Sequence, residues 1–391
     1  MIFSNLLKKL IATTAMAALL RLIYIFLLKQ LGTSEDFTSY IFVVSILAIC
    51  SVCLGPIDGM VSRFSGKYRT NDLFGYLTFH LSLRCFVVIP VFVVCLVATP
   101  ILQKMDVLYV CSLFMGLTGM ILSNLIYIAN IGRGNQRWLV NFVFVIPIFL
   151  KLVVLLFGYY LELTFRSIVV SAETSQFIIC IIIAGIGLKN SWTPNSKFNL
   201  KEKAKYFFEE VKKYGIQGFI LIPISYIKTN LAPALAATNL NADDTFLVVL
   251  VQRLMDQLKL ILSRPNMLMS GLDGLSNKKN SDVMVWVVPG LLFVCIAVYF
   301  WFHGKSVPLM FFFIRAAELC IFLSSYRIFG NYLKLDKFSG NHRYILVPEF
   351  IFISALMLID LSLANFAWLY LFRACLGFVA LNQFSRRKEL L

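Results

Sequence analysis

The stretch KNSWTPNSKFNLKEKAKYFFEEVKK, residues 189–213, is the longest polar run in a chain of 391 residues and holds seven of its 36 Lys and Arg. The rest of the chain is read by contrast with it. A helix that crosses a bilayer needs roughly 20 mostly apolar residues. Six runs of that kind precede the polar stretch, at 10–30, 38–59, 74–100, 107–130, 138–160 and 166–187, and six follow it, at 214–238, 245–268, 283–302, 307–327, 345–364 and 366–384. The pattern predicts an all-α polytopic membrane protein of about 12 transmembrane helices. It divides the chain into a six-span half at 1–187, a basic cytoplasmic linker at 188–213, a second six-span half at 214–384 and a basic tail at 385–391. Within the linker, Asn199-Leu-Lys-Glu202 has the form of a capping box, and Leu200, Ala204, Phe207, Phe208 and Val211 recur at helical spacing. Two readings fit. One is an amphipathic helix on the cytoplasmic face with its Lys side chains towards anionic headgroups. The other is the cytoplasmic start of the seventh span.

Composition excludes a soluble globule. Hydrophobic residues make up 59% of the chain and charged residues 14%, against about 25% charged in soluble domains. The mean hydropathy is +0.81. A net charge of +16 would suggest nucleic acid in a soluble chain, but here no nucleic-acid partner is expected and the cations report topology. Twelve spans put 24 of the 36 Lys and Arg on the side of both termini, leave Lys29, Lys104, Arg166 and Lys305 on the other, and keep eight inside spans. By the positive-inside rule both termini are cytoplasmic. Only Ser362–Asn365 separates the last two spans, so a re-entrant hairpin there also fits. Lys8 and Lys9 precede an apolar run that continues to Leu28, which reads as a retained first span rather than a cleaved signal. The nine cysteines all lie in apolar runs and read as small packing residues, with Cys50-Ser-Val-Cys53 lacking any nearby metal partner.

Enzyme chemistry finds little support. The chain has no Walker A, G-x-S-x-G or H-E-x-x-H motif, and its three histidines are too few for most metal sites, so neither metal nor cofactor is expected. His80, alone inside the third span, reads as a packed, hydrogen-bonded group. Glu35-Asp36 and Asp243-Asp244 are acidic pairs in outside loops, the placement a glycosyltransferase acting on lipid-linked sugars uses. Those loops are at most about seven residues long, too short for such a site, and the acids read as solvated. The interior charges say more. Arg21, Arg84, Lys151, Lys228, Arg253, Lys259, Arg315 and Arg373 lie at hydrocarbon depth, with Asp58, Glu173, Asp256, Glu318 and Asp360 as the acids counted there. A lone charge costs about 2.5–3.5 kcal/mol at the centre of a lipid-facing helix. Arg315–Glu318, Arg253–Asp256 and Asp256–Lys259 are spaced i,i+3 and offer local pairs. Lys151, Arg84 and Arg373 read as internal pairs or snorkelling cations. Arg21 is mid-span with no acid within a turn, and an excess of buried cations points to an anionic substrate.

Several short stretches then resemble a known family. Leu31-Gly32-Thr-Ser-Glu-Asp-Phe37-Thr-Ser-Tyr40 after a span with a central Arg, Gly55-Pro-Ile-Asp-Gly59-Met-Val-Ser-Arg63, Gly132-Arg-Gly134-Asn-Gln-Arg137 and Lys212-Lys-Tyr214-Gly215-Ile216 are similar to junctions in bacterial O-antigen and capsule repeat-unit flippases. These form the polysaccharide transporter family of the multidrug/oligosaccharidyl-lipid/polysaccharide exporter superfamily. Gly59-x-x-x-Arg63-x-x-Gly66-Lys67 imitates the major-facilitator loop but lacks its Asp. The resemblance implies two six-helix lobes around a central cavity, working by alternating access in the bacterial inner membrane. It implies an undecaprenyl-diphosphate-linked oligosaccharide as substrate, contact with membrane lipid and with other polysaccharide-assembly membrane proteins, and no enzymatic activity. The rivals are another multi-span exporter, of multidrug or major-facilitator type, and a lipid-linked-sugar glycosyltransferase. On this reading Arg21, Arg253 and Lys259 are expected to line a shared wet cavity and hold the diphosphate, with Lys228 as a fourth member. Asp256 is expected to hold Arg253 and Lys259 apart, and Asp58, Glu318 and Arg315 to serve as ion-pair or coupling groups.

Overall fold

A chain with this much apolar surface satisfies its backbone polar groups within its own helices, because lipid offers no partner. The computed structural model describes residues 2–54, 57, 60–61, 70–98, 105–132, 139–191, 200–214, 216–269, 310–321 and 343–389. Among these residues there are helices and short turns and no strand. The helices are α1 (Ile2–Leu31), α2 (Ser34–Cys50, continued by a 3-10 turn at Ser51–Leu54), α3 (Thr70–Ala98), α4 (Val107–Gly132), α5 (Leu139–Tyr160) and α6 (Phe165–Ser191). They continue as α7 (Leu200–Tyr214), α8 (Ile216–Asn239), α9 (Ala242–Met269), α10 (310–321), α11 (Arg343–Leu358) and α12 (Leu363–Glu389). The protein is an all-α polytopic membrane protein. Four described stretches are by themselves long and apolar enough to cross a bilayer: Leu73–Val94, Val107–Ala129, Phe165–Ser191 and Leu363–Ala380. The span expected at 283–302 lies outside the described residues. Residues 200–214 of the expected linker are helical.

The short turns between helices are built from caps. Thr33 closes a capping box on α2: the Asp36 amide donates to Thr33 Oγ1 at 3.2 Å, and Asp36 Oδ2 accepts from the Thr33 amide at 3.3 Å. Asn241 does the same for α9, accepting from the Asp244 amide at 2.8 Å and donating to Asp244 Oδ2 at 2.9 Å. Glu35 and Asp243 sit beside them in the first turns, where a carboxylate meets the positive end of the helix dipole. The acidic pairs are therefore the first turns of helices rather than loop acids. Asp106 and Ser362 cap α4 and α12 by accepting from the Leu108 and Asn365 amides, at 2.9 and 3.2 Å.

The described chain forms two compact units, Met1–Thr238 and Asn239–Leu391. In the first, α6 packs along α4 and α5, α5 along α1, and α2 and α3 against α4. Small residues set the α4–α6 approach. A Cβ on Gly119 would lie 3.0 Å from the Phe177 Cα and 3.1 Å from the Cys180 Cβ, and one on Gly116 would strike the Glu173 carboxylate. In the second unit, α11 packs on α12, and α12 touches α9. Cys50 departs from the packing role expected for the cysteines and is disulfide-bonded, whereas Cys85, Cys111, Cys180, Cys320 and Cys375 are free.

Candidate transport site

Each unit holds a network of buried charge. In the first, Lys151 on α5 and Glu173 on α6 form an ion pair, Nζ to Oε1, at 2.5 Å, with both side chains less than a tenth exposed. The Tyr40 hydroxyl on α2 donates to the same Glu173 oxygen at 3.2 Å. Lys151 Nζ also stands 4.3 Å from the ring centroid of Tyr24 on α1, and Gln176 on α6 donates to the Gly116 carbonyl at 3.1 Å. The register explains why these groups meet. Glu173 is eight residues from the short-turn end of α6, Lys151 nine from that of α5, Tyr40 six from α2's and Tyr24 seven from α1's. At 1.5 Å per residue, all four lie about 9–14 Å from their helix ends. One carboxylate thus ties α2, α5 and α6 at a single depth.

The second unit repeats the device with inverted polarity. Arg373 on α12 grips Glu349 on α11 through two hydrogen bonds, Nε to Oε2 at 2.8 Å and Nη2 to Oε1 at 2.7 Å. Glu349 is nine residues before the end of α11 and Arg373 ten after the start of α12, so the two meet across the short turn as Lys151 and Glu173 do. Beside them Arg315 on α10 pairs with Glu318 at 2.9 Å and donates to Gln252 Oε1 on α9 at 2.9 Å. Its guanidinium also lies 3.8 Å from the Tyr370 ring centroid, a stacking that suits the planar cation.

The residues picked out from sequence distribute as follows. Arg21 is half-buried on α1, on the face that buries Ala17, Tyr24 and Leu28, and lies within electrostatic reach of Lys151. Lys228 is half-buried on α8. Arg253 is half-buried on α9, eleven residues in from Ala242, and makes no hydrogen bond or ion pair with any described residue. The i,i+3 pair expected between Arg253 and Asp256 is not formed: Asp256 instead accepts from Gln252 Nε2 at 2.9 Å. Lys259 stands on α9, but its side chain, like Asp58, lies outside the described residues. Arg84 does not snorkel. It is fully buried, and Nη1 donates to the Ile121 carbonyl on α4 at 2.8 Å. His80 is packed as expected, but neither ring nitrogen has a hydrogen-bond partner among the described residues. No group of three or more His, Cys, Asp or Glu among the described residues could hold a metal ion.

Sequence reasoning overlooked Glu349 and left Glu173 without an assigned partner. Equal residue counts from a shared turn were the signal available for both pairs. A search along single helices at i,i+3 misses them.

Antiparallel apolar helices, small-residue contacts and charge kept inside define a polytopic helical membrane-protein fold, and solved structures share it. The chain superposes on the eukaryotic MATE transporter AtDTX14 with a TM-score of 0.60 at 11% identity, covering 97% of this chain and 94% of that one. It superposes on a MOP superfamily transporter from Pyrococcus furiosus with a TM-score of 0.60 at 9% identity, covering 98% and 95%. A MATE protein solved in complex with MaL6 gives 0.55 at 12% identity, covering 98% and 95%. The fold is that of the MATE and MOP-superfamily transporters, and these neighbours are transporters rather than enzymes. No protein-family model matches the chain, and no curated protein matches it in sequence.

Proposed function

We propose that this protein is a bacterial inner-membrane flippase that carries oligosaccharide repeat units, linked to undecaprenyl diphosphate, from the cytoplasmic to the outer leaflet. Its two six-span halves, assigned to 1–187 and 214–384, work by alternating access. The polyprenyl tail stays in lipid while sugars and diphosphate cross through the protein, where cations offset their loss of hydration. Arg21, Arg253, Lys259 and Lys228 are the cations assigned to this task. The observation that carries the reading is Arg253, half-buried in mid-helix with no ionic partner among the described residues. A guanidinium at that depth calls for water or an anion, and its fork matches phosphate oxygens. Asp256, Glu318, Arg315 and Asp58 are assigned to ion-pair or coupling roles.

The reading is tested in a deletion strain. Loss of surface polysaccharide, with lipid-linked repeat units accumulating on the cytoplasmic side, supports the flippase. Intact surface polysaccharide refutes it and favours a transporter of another class. Plasmid-borne Arg253→Ala at normal abundance is expected to leave the defect, and Arg253→Lys to repair it in part, because the charge persists without the fork.

A further inference from the structure

α7 is docked by one face and bare on the others, and its two bare flanks differ in chemistry. The docked face holds Phe207, whose ring lies 5.8 Å from those of Phe79 and His80 on α3, and Glu210, which accepts from the Tyr76 hydroxyl at 3.3 Å. This is not the stripe that hydropathy suggests, because Lys203 and Glu210 are buried while Phe208 is 69% exposed. Residues 76–80 begin about one turn into Leu73–Val94, the apolar stretch of α3. α7 therefore lies at the level where hydrocarbon gives way to headgroups. At 100° per residue, Phe208, Lys212 and Lys205 follow one another within about 60° from one edge of the exposed sector, and Glu209 and Glu202 continue it to the other edge, about 40° and 60° beyond Lys205. All five are exposed.

We infer that the Lys205–Phe208–Lys212 flank of α7 is a binding surface for anionic phospholipid headgroups. Phe208 enters the acyl boundary, where an aromatic ring is well placed. Lys205 and Lys212, one turn to either side, reach back to the lipid phosphates along their methylene stems. The Glu202–Glu209 flank faces water, since like charge keeps it off an anionic surface. The Tyr76–Glu210 hydrogen bond and the Phe207 contacts hold α7 in the rotation that presents the basic flank to lipid. This inference does not depend on which substrate is carried.

The test uses the full chain in vesicles of phosphatidylcholine with or without phosphatidylglycerol. A genetically encoded, environment-sensitive fluorescent amino acid is placed at position 208 or, as a control, at 209. At 208 the emission should shift to the blue when phosphatidylglycerol is present, brominated acyl chains should quench it, and iodide should not. At 209 iodide should quench it. Lys205→Gln and Lys212→Gln should each lower the apparent affinity for phosphatidylglycerol about fivefold. Equal iodide quenching at 208 and 209 would overturn the inference. A blue shift at 208 that ignores both phosphatidylglycerol and the two Lys substitutions would also overturn it.

Discussion

Replacing Glu173 by Gln removes a charge and little volume from the centre of the first unit, leaving the Lys151 ammonium beside a neutral amide. The Lys151 and Glu173 side chains are 8% and 4% exposed, so water does not replace the lost partner. Breaking a buried pair from one side costs about 3–5 kcal/mol. At about 2–4 °C per kcal/mol for a unit of this size, the melting temperature should fall by roughly 6–20 °C. The Tyr40 hydrogen bond at 3.2 Å can persist to the Gln carbonyl, so the loss isolates the ion pair. Lys151→Met should destabilise to a similar extent by stranding the carboxylate. Lys151→Met combined with Glu173→Gln strands no charge and should return to within about 1 kcal/mol of the parent, because exchanging a whole buried pair for neutral groups is often close to neutral. The assay is thermal unfolding of the purified chain in detergent or nanodiscs, followed by loss of the monodisperse species. A double variant as unstable as either single variant would refute the reasoning, because the damage would then lie in packing rather than in an uncompensated charge.

Three further outcomes are expected. Gly119→Val should destabilise the first unit by about 1–3 kcal/mol, since even a Cβ would meet the Phe177 backbone at 3.0 Å, and thermal unfolding reads this directly. Thr33→Ala should cost about 1 kcal/mol through loss of the α2 cap yet leave polysaccharide assembly intact in the complementation strain; full loss of assembly at normal protein level would instead place the Glu35–Asp36 turn in a catalytic site. The positive-inside rule puts both termini in the cytoplasm, so a Cys at exposed Lys205 should resist a membrane-impermeant thiol reagent in intact cells, whereas one at exposed Asp243 should react. The opposite labelling pattern reverses the topology.

What the sequence by itself determined were the properties carried by single helices. Apolar length marked the spans, because an unpaired backbone group in lipid is too costly to leave. The helical period marked α7, and i,i+3 spacing marked Arg315 with Glu318, a pair at 2.9 Å. Thr33 with Asp36 and Asn241 with Asp244 were equally local, three residues apart at helix starts, but were read as loop acids because the boundaries were drawn from hydropathy alone. The tertiary structure decided everything that depends on two helices. Lys151–Glu173 and Glu349–Arg373 are 22 and 24 residues apart, and each meets only because antiparallel neighbours bring equal depths together. Packing also chose the face of α7. Its most apolar stripe includes Phe208, yet the face that docks is the one whose Glu210 finds the Tyr76 hydroxyl and whose Phe207 meets Phe79 and His80. That hydroxyl satisfies a Glu210 carboxylate whose burial would otherwise be costly, and it is 134 residues away in the chain.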